Sequence, residues 1–496
     1  MPEGTELEVI GGPVEASGYT WVHVAPVGVT LDDGATDGWV AIADHDGTPW
    51  VEASAAPLAG LAVAQSSVEK APVSVADAKR TAAGVNAFGV DLYRRLLKDP
   101  GAELDGKGVS MSPMSIAAAL AMARAGAEGA TASQMDDVLR TNSWRDLGSG
   151  VGSLQQILNG YNATWTDDER ATHSLSLNVV NRAFGQDGGA IQEPFLDRIA
   201  RVFGAGLGLV DFANDTDAAR DTINAWVARQ TADRIKKLLG PSDVSANTRL
   251  VLVNAIYLKA NWLNEFDEDQ TATRTFTRPD GDAVKVPTMR MAGGQNIALA
   301  EGPGWQATEL KYVGADGSTP LAMTLILPDD LASFEDSLSA GRLNTIQDEI
   351  ATEQKRIAKV TNPDDGDMNC PRFAYDVELF LPKFGVDTRA GLVPILRAMG
   401  MRNATDSQRA DFSGITGARD LFIAMVIHQA NIDVDEKGTE AAAATAVGMD
   451  TTGGCGPPAA FKHKVLRLDR PFMYLIRDTK TGVILFMGRV LDPTKR

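Results

Sequence analysis

The stretch that decides the reading is Asp435-Glu436-Lys437-Gly438-Thr439-Glu440-Ala441-Ala442-Ala443-Ala444-Thr445. Continued to Thr451, it sorts by strand parity, because alternate residues of a strand face opposite sides. One side carries Thr439, Ala441, Ala443, Thr445, Val447, Met449 and Thr451, all uncharged. The other carries Glu440, Ala442, Ala444, Ala446, Gly448 and Asp450, so both carboxylates share one face. No proline interrupts the segment, and no ladder donor is lost. Side chains this small can slip between two existing strands without a clash. The 441–446 run is equally good as a helical turn, since alanine is the best helix former. The two readings are compatible: a hinge can be helical or extended before it inserts.

Around this stretch the chain reads as α+β. Residues 250–258, Leu-Val-Leu-Val-Asn-Ala-Ile-Tyr-Leu, form a near-continuous apolar run, as a strand buried on both faces would. Further strands are expected at 377–381, 421–427, 472–476 and 483–490. Phe88, Leu92 and Leu96 recur at helical spacing within 86–98. The Ala-rich run 115–125 follows Pro113, with Ser112 or Ser115 as its cap. A long helix is expected over 217–239, with Ile223, Trp226, Val227, Ile235 and Leu238 on one side. Helices come mostly early and strands mostly late, unlike the alternation of a doubly wound parallel sheet.

Composition excludes several function classes. With 496 residues the chain has room for two to four domains at roughly 150 each. Lys plus Arg is 47 against 65 Asp plus Glu, a net charge of −18. That argues against a nucleic-acid or general polyanion binder. Cys370 and Cys455 are the only cysteines, too few for a disulfide scaffold or a Cys-based zinc site. The five histidines, His23, His45, His173, His428 and His463, show no metal-ligand spacing, and no metal or other cofactor is expected. Asp364-Asp365-Gly366-Asp367 lacks the 12-residue calcium-loop pattern and reads as a solvated acidic loop. No apolar run approaches the roughly 18 residues needed to cross a membrane. The start, Met-Pro-Glu-Gly-Thr-Glu, has neither the basic end nor the apolar centre of a secretory signal.

Residues 1–52 differ from the rest. Short alternating stretches are separated by Gly11-Gly12-Pro13, Asp32-Asp33-Gly34 and Asp46-Gly47 turns. Gly18-Tyr19-Thr20-Trp21, Gly38-Trp39-Val40-Ala41 and Gly47-Thr48-Pro49-Trp50 resemble bacterial SH3-like repeats, here beginning inside the first strand. Tyr19, Trp21 and Trp50 either line a groove for a cell-wall or peptide ligand or fill the core of a tiny barrel. Residues 53–78, with Pro57, Gly60 and Pro72, read as a linker, part of which is apolar enough to pack on a neighbour.

From 79 onward the motifs resemble the serpin family, over some five-sixths of the chain. The opening stretch resembles the hinge of the family's reactive-centre loop. In order, Ser112-Pro113-Met114-Ser115, Gly126-Ala127 to Thr131 and Gln134, Asp211-Phe212, Ile223-Asn224-Ala225-Trp226-Val227 and Thr231, and Asn254-Ala255-Ile256-Tyr257-Leu258-Lys259 with Trp262 and Phe266 agree. Leu381-Pro382-Lys383-Phe384, Ala410-Asp411-Phe412-Ser413-Gly414-Ile415, Asp469-Arg470-Pro471-Phe472 and Gly488-Arg489-Val490 complete the series. Each motif alone is weak; their order makes the match specific.

The resemblance implies a serpin domain over 79–496, with large mixed sheets, about eight or nine helices and an exposed reactive loop. It implies a suicide inhibitor of serine proteases, monomeric and not an enzyme. Counting with Gly438 as the first of fifteen residues puts the cleaved bond at Thr452–Gly453. A shift by one gives Thr451–Thr452, and counting back from Pro471 gives Ala460–Phe461. The forward count is preferred because the length of the inserted strand constrains it. Threonine before the bond suggests an elastase-like or subtilisin-like target. Ser112, Ser115, Asn254 and His428 would form the hydrogen-bonded cluster where the main sheet opens. Trp262 would sit where the loop enters, and Lys383 would pair with Glu436 nearby. The stretch Gln134-Met135-Asp136-Asp137-Val138-Leu139-Arg140 is not basic, so heparin activation is not expected. Two rivals remain. One is a non-inhibitory serpin-fold binding protein anchored through the SH3-like module. The other is a hydrolase using His428 or His173 with a serine, which lacks a G-x-S-x-G elbow. An extracellular or cell-surface location follows from the resemblance, against the missing signal. Cys455, beside the loop, is either redox-sensitive or incidental.

Overall fold

The computed structural model describes residues 7–16, 19–26, 38–43, 61–99, 106, 108–166, 172–204, 206–231, 233–292, 297–361, 376–439 and 463–494. The chain divides into two units, Met1–Gly60 and Leu61–Arg496. In the first, β1 (Leu7–Ala16), β2 (Tyr19–Pro26) and β3 (Gly38–Ala43) form an antiparallel sheet. Trp50 lies outside the described residues.

The second unit begins with β4 (Ala62–Ala64), α1 (Val75–Leu96), β5 (Gly108–Met111), α2 (Pro113–Arg124), α3 (Gly129–Val138) and α4 (Trp144–Asn159). Next come β6 (Ala163–Thr166), β7 (Thr172–Gln186), α5 (Glu193–Phe203), β8 (Leu207–Val210), α6 (Thr216–Gln230) and β9 (Leu250–Asn261). β10 (Ala272–Thr277), β11 (Ala283–Met291), β12 (Leu299–Gly302), β13 (Trp305–Tyr312) and β14 (Leu321–Pro328) follow, then α7 (Leu331–Asp336) and α8 (Ala340–Thr361). The last part holds β15 (Asp376–Pro382), β16 (Phe384–Gly391), α9 (Val393–Met399), α10 (Ser413–Thr416), β17 (Val426–Val434) and β18 (Gly438–Thr439). It closes with β19 (His463–Arg467), β20 (Phe472–Asp478) and β21 (Ile484–Val490). These are ten α-helices among the described residues, more than the expected eight or nine because α7 and α10 are short extra turns.

Three sheets organise this unit. The largest runs β16-β17-β18-β9-β7-β8-β4, with β6 on β7. A six-stranded sheet runs β12-β13-β14-β20-β21-β5, and a four-stranded one β10-β11-β15-β19. α2 packs against both β9 and β21, between the two larger sheets. It is apolar all round and eleven of its residues are buried, as a helix enclosed on every side must be. Its start is set by Ser112, whose hydroxyl accepts from the Ser115 N–H, with Pro113 at the first turn.

Three boundaries differ from the sequence expectation. The helix expected over 217–239 stops at Gln230, where Thr231 caps it and Asp233 takes a positive φ of 60°. Ile235 and Leu238 are still buried, but on irregular backbone; the Asn224 side chain holds the Leu239 backbone N–H and C=O at 2.8 and 2.9 Å. The strand expected over 421–427 starts only at Val426. The first helix begins at Val75, capped by the Ser74 hydroxyl, well before residue 86. Part of the stretch read as a linker is built into this unit. β4 pairs with β8, and the Ala71 N–H donates to the Arg201 carbonyl at 2.9 Å.

Candidate functional site: the seam between β17 and β9

β17 and β9 pair directly as parallel neighbours from Val426↔Leu252 to Ala430↔Ile256. Above that point they part, and β18 lies between them. Thr439 faces Val434 on one side and Ala260 on the other, and Gly438 faces Asn261. Both junctions of β18 are antiparallel. A side chain on Gly438 would meet the Ala260 carbonyl oxygen at 2.0 Å, so only glycine fits this approach.

The turn joining β17 to β18 is clamped on every carbonyl. The Trp262 indole N–H donates to Asp435 C=O at 3.0 Å, the Phe266 N–H to Glu436 C=O at 2.8 Å and the Trp262 N–H to Lys437 C=O at 2.8 Å. The Asp435 carboxylate closes the turn by accepting from the N–H groups of Lys437 and Gly438. Trp262 stacks on Tyr312, centroids 4.4 Å apart and planes at 19°. The Tyr312 hydroxyl lies 2.7 Å from that of Thr439. Lys383 donates to Glu436 at 2.6 Å, and the Thr271 hydroxyl donates to the same carboxylate at 2.8 Å. Glu436 is buried. Burial works to raise its carboxyl, but the bonds from Lys383 and Thr271 outweigh it and hold the group below its usual range.

Lower down, a polar row crosses three strands. Asn181 of β7 faces Asn254 of β9, and Asn254 faces His428 of β17. The Ser112 N–H donates to His428 Nε2 at 3.0 Å. Nε2 is therefore the acceptor, and Nδ1 carries the proton and donates to Asn254 Oδ1 at 2.6 Å. Asn254 Nδ2 donates to Ser115 Oγ at 2.6 Å and to Asn181 Oδ1 at 2.8 Å. Burial pulls His428 down to about 3, so the ring is neutral. A second ring proton would point Nε2–H at the Ser112 N–H, two donors face to face. His428 to Asn254 thus ties β17 to β9 through side chains.

The structure therefore brings together Ser112, Ser115, Asn254 and His428, and separately Trp262, Lys383, Glu436, Gly438 and Thr439. Glu440, Ala441, Ala442, Ala443, Ala444, Thr445, Thr452 and Gly453 lie outside the described residues. Asn181, Tyr312 and Thr271 have no local motif to mark them; long-range contacts bring them to the site. His428 is 1% exposed, out of reach of any substrate that a hydrolase would bind. Among the described residues no group of three or more His, Cys, Asp or Glu could hold a metal ion, and no helix is long and apolar enough to cross a membrane.

Comparison with known proteins agrees with this geometry. The family profile described as Serpin (serine protease inhibitor) matches residues 83–493. Leukocyte elastase inhibitor of Homo sapiens is 33% identical over 406 residues, covering 82% of this chain and 97% of that one. Serpin B10 of Plecturocebus moloch is 31% identical over 428 residues, covering 83% and 99%. The crystal structure of glycosylated human kallistatin superposes with a TM-score of 0.66 at 27% identity, covering 84% and 98%. The chain belongs to the serpin family of serine protease inhibitors.

Proposed function

We propose that the chain traps its target protease as a suicide substrate, by inserting the segment after Gly438 between β17 and β9. The observation that carries this is the wedge: Gly438 and Thr439 already occupy the first two places of that strand. Extending the register residue by residue sets Ala441 between Leu258 and Ile432, Ala443 between Ile256 and Ala430, and Thr445 between Asn254 and His428. From Thr439 to Thr445 every inward residue of the segment is small and uncharged. Thr445 would bring a hydroxyl, donor and acceptor at once, to the place where the His428–Asn254 bond has to part. Insertion replaces one parallel junction by two antiparallel ones, which are slightly more stable per residue.

The same register, extended, supports the forward count of the length. The inserted strand runs out of β9 at Leu250, opposite Met449, so Thr452–Gly453 lies just past the strand's end. Cleavage at Ala460–Phe461 would leave 450–460, with Gly453, Gly454, Gly456, Pro457 and Pro458, without a strand to join. The protease serine would attack the Thr452 carbonyl, the Gly453 amine would leave, and an acyl-enzyme would remain. Residues 439–452 would span roughly 46 Å at about 3.3 Å each, enough to carry the protease along the sheet before water resolves the ester. The uncleaved chain is then held by a kinetic barrier. A small residue before the bond fits an elastase-like or subtilisin-like pocket; the leukocyte elastase inhibitor is similar to this chain over 82% of its length.

The first unit is read as an SH3-like module over 1–52 with a cell-wall or peptide ligand, joined to a monomeric inhibitor that works outside the cell or at its surface. Its antiparallel β1-β2-β3 sheet supports that reading. The test is incubation with elastase, subtilisin, trypsin and chymotrypsin, read by denaturing gel and intact mass. An adduct that survives denaturant, with a released peptide starting at Gly453, is expected. Clean cleavage without adduct across the panel would leave the non-inhibitory binding protein.

A further inference from the structure

The four-stranded sheet β10-β11-β15-β19 carries a cleft of about 330 Å³ that the inhibitory mechanism does not use. Its size is at the low end of clefts that take small molecules. Three cations line it, each from a different strand: Arg274 of β10, Lys285 of β11 and Arg467 of β19. The guanidinium carbons of Arg274 and Arg467 lie 4.4 and 4.9 Å from the centre of the Phe380 ring on β15. Stacking fixes the plane of each guanidinium and leaves its N–H edge available.

These cations are under-neutralised. Among the described residues neither Arg274 nor Arg467 has a carboxylate within ion-pair distance, and the Arg274 Nε is buried with no hydrogen-bond partner. Lys285 spends one donor on the Thr275 hydroxyl at 2.8 Å. Asp469 is the single carboxylate of the lining, and it faces Arg470 at 3.6 Å. Thr273 and Thr275 add hydroxyls, while that of Thr288 is donated to the Val286 carbonyl. In a chain of net charge −18, three converging cations against one carboxylate are not a sample of the general surface.

We propose that this cleft binds a small phosphate monoester. The forked donors of two arginines match a tetrahedral oxyanion, the lysine adds a point charge, and the threonine hydroxyls can donate to its remaining oxygens. A phosphate monoester is close to dianionic at neutral pH, with a second ionisation near pH 6, and so answers the excess of positive charge. One cleft of this size takes a single small ester and not an extended polyanion.

The experiment is calorimetric titration of the full chain with glycerol 2-phosphate, inorganic phosphate and inorganic sulfate, each against sodium chloride of equal ionic strength. Saturable one-to-one binding of both phosphates is expected, tightening from pH 5.5 to 7.5, while sulfate shows no such pH trend. R274Q and R467Q should each weaken binding by roughly tenfold or more. K285E, at an exposed position that leaves the Phe380 stack untouched, should do the same. A cooperative denaturant-unfolding transition like that of the unaltered chain reports that each variant is folded. Absence of saturable binding beyond chloride would overturn the proposal. So would unchanged affinity in folded K285E together with either arginine variant, which would show an adventitious ion only.

Discussion

β14, in the six-stranded sheet, is buried along all eight of its residues and is antiparallel to both neighbours, β13 and β20. Leu325 pairs with Tyr474 and Met323 with Ile476, and all four are fully buried. β17 and β9, in the large sheet, share five parallel pairs, and one of these is His428 with Asn254. A strand packed apolar on both faces cannot leave its place without exposing its whole core. A short parallel seam joined through a polar pair can exchange one set of hydrogen bonds for another while staying satisfied. The chain keeps one sheet fixed and gives the other a place to part. α2, between them, serves both: its apolar sides fill the core and its first turn supplies Ser112 and Ser115 to the seam.

The largest effect is expected at the wedge itself. Thr439 is 1% exposed and touches Tyr312, so Thr439→Arg would have to bury a charge between β17 and β9. Each ~1.4 kcal/mol of that cost is a factor of ten, and the covalent adduct should fall at least about tenfold while loop cleavage continues. Undiminished adduct on a denaturing gel would mean that insertion does not pass Thr439.

Next in size is a truncation in the fixed sheet. Leu325→Ala leaves a cavity in a fully buried site and should cost about 2–5 kcal/mol of stability in denaturant unfolding. Below its unfolding temperature the fraction of protease trapped should match that of the unaltered chain. A change in that fraction would show that the two sheets are not separable in this way.

At the seam, His428 gives a pH signature. It stays neutral in the folded chain down to about 3, whereas an unfolded histidine takes a proton near 6.5. Above pH 6.5 the ring is neutral in both states and contributes no slope. As pH falls from there toward 3, the unfolded state binds the extra proton, and stability drops by up to about 1.4 kcal/mol per unit. His428→Gln should remove that slope while costing about 1–3 kcal/mol at pH 7 for the disrupted network. Unfolding curves at pH 7, 6 and 5 for both chains isolate the difference. Parallel trends would place the proton elsewhere.

The smallest effect belongs to the clamp. Lys383 keeps 25% of its side-chain exposure against 8% for Glu436, so the pair should be worth about 1 kcal/mol or less in a double-mutant cycle with Lys383→Met and Glu436→Gln. A coupling several times larger would make the turn, and not the polar row, the main lock.

Much of this was legible in the sequence, for identifiable reasons. The strand at 250–258 announces itself because both of its faces are apolar, and the parity of 439–451 follows from period two alone. Ser112, Ser115, Asn254 and His428, named from the serpin resemblance, come from α2 and its cap, β9 and β17 and are joined by hydrogen bonds. Asn181 escaped because its partnership with Asn254 exists only through the register of β7 on β9. Tyr312 and Thr271 escaped for the same reason: long-range pairing leaves no local pattern. The helix over 217–239 was read too long because Ile235 and Leu238 keep helical spacing, and their burial is real. What ends the helix is a backbone event at Thr231 and Asp233 that hydrophobic periodicity does not encode.

For the loop to enter, β17 and β9 must separate. Spin labels at Asn431 and Tyr257, half-buried positions on the outward parity of the two strands, would report it by pulsed electron resonance distance. On cleavage by a trapped protease the distance should grow by about one strand spacing, roughly 4.8 Å. An unchanged distance in a chain that has formed the covalent adduct would mean that β17 and β9 do not part.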